Sequence, residues 1–198
     1  YTLTLISTQK DKLNPILSEL MIDKLEPYLY TKMKKEGWEM SPYVNVHGRV
    51  PNDGFSSFLE TPRFASGYTS LHNCIGFITE AHMLKPYNDR VESTLTFLEV
   101  LASYCDNNVD LLIEKKKEAE AFDLKQNSFA INWKLDSTKY VERDFKGFEY
   151  DYLQSEIAGT RLKYYDDKPI SFKLPYYNSY SATSKIEVPS NYIVPAAW

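Results

Sequence analysis

Glu80 follows an apolar run, Cys74-Ile75-Gly76-Phe77-Ile78-Thr79, that reads as a strand covered on both faces. A carboxylate at the C-terminal end of such a strand points into the region where open α/β sheets place their ligand crevice, and there it can take up and return protons. The competing reading is an ion pair with Arg63, Lys85 or Arg90, and position alone does not choose between the two. His72, Cys74, Glu80 and His82 all carry metal-ligating chemistry and crowd one stretch, with His47 apart. Yet the sequence holds no H-E-x-x-H or H-x-x-E pair, so no helix presents two zinc ligands on one face. A nucleophilic triad is weaker still. There is no Gly-x-Ser-x-Gly elbow, and neither Cys74 nor Cys105 sits in an electropositive stretch that would favour a thiolate. Both cysteines read as small buried hydrophobes, and with no C-x-x-C pair they do not fix the compartment.

The elements that must position these groups follow an α/β grammar. Residues 2–6 read as a short buried strand. Ser7 or Thr8 then caps a helix whose apolar positions Leu13, Ile16, Leu17 and Leu20 keep three- and four-residue spacing. Pro27 is expected to end or kink that helix near Glu26, and Gly37 to stop a second piece, Tyr28 to Glu36. Five of the seven glycines lie between 37 and 76, with Pro42, Pro51 and Pro62, which predicts long loops broken by a strand at Tyr43 to His47. After Glu80, Asp89 and Glu92 form a capping box for a helix with an apolar stripe of Val91, Leu95, Leu98, Leu101, Ala102 and Cys105. Asn107-Asn108 interrupts it, and the mixed charges of 114–120 read as a solvated face.

From about Asn127 the period changes to two. Phe129, Ile131, Trp133 and Leu135 alternate with polar residues, as do Phe148, Tyr150 and Tyr152, then Ile170, Phe172 and Leu174. Turns are expected at Gly147, Gly159, Asp166-Asp167 and Pro175. Residues 1–122 therefore form one unit and 127–198 a β-rich appended segment whose many tyrosines pair across strands, or else present an aromatic surface.

Composition bounds the partners. At 198 residues the chain holds about one domain, and 43% hydrophobic with 25% charged residues is ordinary globular usage. A net charge of −4 has the wrong sign for neutralising phosphates, so nucleic acid is not expected as a partner. No apolar run approaches the ~18 residues of a membrane span. Tyr1 opens inside an apolar run and the chain stops on Ile193-Val194-Pro195-Ala196-Ala197-Trp198, from which we expect a piece of a longer protein.

Three strings carry a resemblance. Gly67-Tyr68-Thr69-Ser70-Leu71-His72-Asn73 is followed by Gly76-Phe77-Ile78-Thr79-Glu80-Ala81-His82-Met83-Leu84-Lys85-Pro86-Tyr87 and then Arg90-Val91. Upstream stand Thr61-Pro62-Arg63-Phe64 and Trp38-Glu39-Met40-Ser41-Pro42-Tyr43-Val44-Asn45. Together, over roughly residues 1–120, they resemble the second half of the catalytic domain in bacterial zinc metallocarboxypeptidases, the carboxypeptidase A-like family. The resemblance implies a three-layer α/β/α domain, here followed by the β-rich segment. It implies one zinc, whose H-x-x-E pair and later His are absent from this chain and are expected upstream of Tyr1, in the missing N-terminal half of the same domain. It also implies that Glu80 is the general base and that the substrate is the C-terminal end of a peptide. Arg63 would bind the terminal carboxylate or the oxyanion, or else pin a loop, and Tyr68 would contact substrate or pack. Ala81-His82 stand where better-known members carry Leu-Arg-Asp. The alternative is a non-catalytic, carboxypeptidase-like protein that binds peptide or glycan.

Overall fold

A computed structural model describes residues 1–196. The first strand, β1 (Leu3–Ser7), is central in a three-stranded sheet. Its neighbours are β2 (Ser41–Pro42), which runs parallel, and β4 (Phe77–Ala81), which runs antiparallel with Leu3 opposite Ala81 and Ser7 opposite Phe77. Alternation sends Leu3 and Leu5 inward with Phe77 and Ala81. They pack there against Leu25, Leu29, Met33, Met40, Phe97, Val100 and Tyr104.

The first helix starts later than the sequence implies. Its N-cap is Asn14, whose side-chain oxygen accepts from the Ile16 N–H, and α1 spans Pro15–Leu20. Ser7 ends β1 instead of capping a helix, and the Thr8 hydroxyl bonds to both backbone groups of Gly76, fastening β1 to the start of β4. Nor does Pro27 end the helix. A wide π turn, Met21–Leu25, closed by the Glu26 N–H on the Met21 carbonyl, comes just before it, and α2 (Glu26–Lys35) continues. Pro27 has no N–H for the Asp23 carbonyl and would crowd it, and the extra residue in the turn relieves both problems without ending the helix. Gly37 stops α2 as its position predicts. At φ +88° it donates to Lys34 while Trp38 donates to Met33, the two bonds of a Schellman motif.

The loop region is less regular than expected. In place of a strand at Tyr43 to His47 there are β2, a single bridge between Val46 and Phe55, β3 (Phe55–Ser56) and the short helix α3 (Ala65–Thr69). The strand near Glu80 also differs from its expected form. It starts at Phe77, includes Glu80, and lies at the sheet edge with no residue fully buried.

The long helix α4 (Tyr87–Asn107) begins at Pro86, with no side-chain cap from an Asp89 box. Its buried positions are Ser93, Phe97, Val100 and Tyr104, so the expected stripe Val91, Leu95 and Leu98 faces outward. Cys105 is exposed and Cys74 half-buried, against the expectation of two buried thiols. After the break at Asn108, α5 (Val109–Asp123) lays the buried Ala119 against Leu13, Leu17 and Met21.

Residues 128–187 form four strands: β5 (Ser128–Leu135), β6 (Val141–Gln154), β7 (Arg161–Tyr177) and β8 (Tyr180–Glu187). β5 pairs with β8, and β6 with β7 as a long antiparallel ribbon that bulges between Phe148 and Tyr150. Gly147, Asp166-Asp167 and Pro175 lie inside strands; of the predicted turns only that at Gly159 separates two of them. β3 joins the base of the ribbon, parallel to β7, so the two parts of the chain share a sheet. The chain is thus mixed α/β, with sheets of two and three strands. No helix among the described residues is long and apolar enough to cross a membrane.

Candidate functional site

The C-terminal end of β1 opens into a cavity of about 290 Å³. Ser7 to Lys10 form its floor, the π turn and the start of α2 one wall, and Ser56 to Phe58 another. Arg143 of β6, Tyr176 of β7 and Asn178 close it from the ribbon side. The crevice rule for open sheets therefore applies to β1 in place of β4.

Glu26 stands at the exit of the π turn and lines this cavity. Burial pushes its carboxyl above the usual range, opposed by the Ser7 hydroxyl and the positive charge of Arg143. The phenols of Tyr30 and Tyr176 are pushed up as well, by burial first and by the charge of Glu26 second. The Arg143 guanidinium lies 6.0 Å from the Tyr176 ring centre. Glu26 and Arg143 feel each other's charge but do not close to an ion pair. Opposite charges on the walls of one cavity can hold a polar ligand and orient it.

A second buried carboxylate, Glu60, is 2% exposed, and neither of its oxygens has a hydrogen-bond partner of good geometry. Desolvation raises its pKa, with the Lys12 charge and the Ser66 hydroxyl pulling the other way. Lys12 Nζ donates to the Glu60 backbone carbonyl.

The residues singled out in the sequence lie elsewhere. Glu80 is exposed on β4 opposite Thr4, near the sheet end away from Ser7 and the cavity, because β4 runs antiparallel to β1. Among the described residues it forms no ion pair with Arg63, Lys85 or Arg90. Arg63 is exposed in the turn before α3 and is likewise unpaired. Tyr68 on α3 is 55% exposed, its ring 4.9 Å from that of His72, so it does not pack in the core. His72, Cys74, Glu80 and His82 do not converge. No group of three metal-ligating side chains forms among the described residues. Instead His82 Nδ1 accepts from the Leu84 N–H, and Lys116 donates to Cys74 Sγ at 3.4 Å.

The tyrosine-rich ribbon behaves as cross-strand packing. Phe145 meets Phe172 at 5.6 Å and Tyr150 meets Tyr165 at 6.4 Å across the ladder. Lys163 lies over Tyr150 and Arg161 over Tyr152, so these ring faces are occupied by cations.

Sequence reasoning missed Glu26, Arg143 and Glu60. Glu26 carried one usable signal, its place before Pro27 in a helical pattern, because a wide turn that accommodates proline often sits at a functional site. Against this geometry, no protein family, curated protein or solved structure matches the chain.

Proposed function

We propose that the chain is part of a peptidase of the zinc carboxypeptidase type, removing C-terminal residues from peptides, with Glu80 as its proton-transfer group. The observation that carries this reading is the free carboxylate of Glu80 on β4, bound by none of the three cations that would have made it structural. In this role Glu80 accepts a proton from the water attacking the peptide carbonyl and returns it to the leaving amine as the C–N bond breaks. Arg63, exposed and unpaired, is assigned the terminal carboxylate by a bidentate contact, and Tyr68 a contact to the substrate side chain.

The residues present do not fit a zinc ion, since no three donors converge among those described. On this reading the ligands belong to polypeptide preceding Tyr1, the other half of a three-layer domain. Two features support a larger domain. Among the described residues the outer edge of β4 has no neighbour, and α4 turns Val91, Leu95 and Leu98 outward. The occupied ring faces of the ribbon weigh against a non-catalytic glycan binder.

The test is Glu80→Gln in the intact parent protein. It keeps size and polarity but cannot take the proton, so kcat should fall by roughly 10²–10⁴ while melting temperature stays unchanged. Normal turnover would overturn the assignment.

A further inference from the structure

We propose that the cavity at the end of β1 binds a free α-amino acid with an apolar side chain, its ammonium on Glu26 and its carboxylate on Arg143. Glu26 and Arg143 line the same 290 Å³ cavity, from a helix on one side and a ribbon strand on the other, yet do not pair with each other among the described residues. A desolvated carboxylate is costly unless a partner supplies positive charge or donors. Burial works against ionised Glu26, and the Ser7 hydroxyl and the Arg143 charge offset it only in part. A ligand ammonium would supply the missing charge, while Arg143 offers the planar fork that carboxylates fit.

The remaining walls choose among zwitterions. Ile6, Met21, Ile22, Pro42 and Phe58 give the cavity an apolar side, which suits an aliphatic or aromatic side chain better than a polar one. The volume sits at the small end of ligand pockets, about 300 Å³, and selects a single residue over a long peptide. Tyr30 and Tyr176 keep their phenolic protons and donate hydrogen bonds to the bound carboxylate or accept from the ammonium.

The site is independent of the Glu80 reading, since Glu80 stands near the other end of the sheet. Either can fail without the other.

Isothermal titration calorimetry on the full 198-residue chain tests it with three probes: L-leucine, N-acetyl-L-leucine and L-leucinamide. L-leucine should bind saturably, and each blocked probe should bind roughly tenfold or more weakly, because each lacks one charge-assisted contact. Glu26→Gln should weaken L-leucine by a similar factor and leave N-acetyl-L-leucine unchanged. Arg143→Gln should weaken L-leucine and leave L-leucinamide unchanged. If a variant does not fold, the comparison of the three probes on the unaltered chain still decides. No saturable binding of L-leucine, equal binding of the three probes, or folded variants that bind like the parent would each overturn the proposal.

Discussion

Glu60 is the residue whose surroundings offer it least. It is buried, its carboxylate oxygens lack partners, and its folded pKa lies above the ordinary 4.5. The folded chain therefore holds the proton more tightly than the unfolded chain does. Stability from this group is fully present below the unfolded pKa and is lost as pH rises from there through the folded value. Glu26 adds a loss of the same sign. Glu60→Gln removes the ionisation while keeping the shape, so its melting temperature should exceed that of the parent at about pH 7 and match it or fall below at about pH 4. The gain at the higher pH should be about 1–3 kcal/mol, the cost of leaving a buried polar group unpaired. A variant equally destabilised at both values would show that ionised Glu60 is well supported where it stands.

At the scale of elements, two glycines separate backbone from packing. Gly37 at φ +88° closes the Schellman motif with open space where a Cβ would go, so Gly37→Ala meets only the left-handed penalty of about 1–2 kcal/mol. At Gly67 a Cβ would come within 2.2 Å of the Thr61 carbonyl oxygen and 2.9 Å of that of Glu60. Gly67→Ala must therefore displace backbone, and it should cost more than Gly37→Ala in chemical denaturation. The reverse order would mean that the loop before α3 moves freely. The same contrast explains what was legible in advance. Gly37 and the alternation of Phe129 to Leu135 carry local instructions, and both elements formed accordingly. Asn14 displaced Ser7 and Thr8 as cap because Thr8 is taken by Gly76, a partner distant in sequence. The outward turn of Leu95 and Leu98 reflects an amphipathic pattern with apolar residues on two faces, of which Phe97, Val100 and Tyr104 took the core. Glu26 and Arg143 come to line one cavity from elements more than a hundred residues apart, which no local spacing announces.

For the whole molecule, surface area is the informative quantity. A compact monomer of 23.0 kDa exposes roughly 9,600 Å² by the usual scaling with mass, whereas this chain exposes 13331 Å². Part of the excess is the far half of the β6–β7 ribbon, which has two strands and little cover, with Leu153 and Leu162 open to solvent. The rest includes the edge of β4, unpaired among the described residues, and the outer face of α4, where Leu95 is 54% and Leu98 57% exposed. Free strand edges and apolar stripes attract further polypeptide, and on the proposed reading their occupant is the rest of the parent domain. Replacing both leucines by lysine separates the two states. In the 198-residue chain, Leu95→Lys with Leu98→Lys should change stability by no more than about 0.5 kcal/mol, because neither side chain is buried there. In the parent protein the same pair should cost about 1.5–3 kcal/mol for each side chain taken out of an apolar contact. Chemical denaturation of both proteins measures the difference. A large loss in the short chain would place the stripe in its core. Tolerance in the parent would show that the face stays in water and that the covering half lies elsewhere.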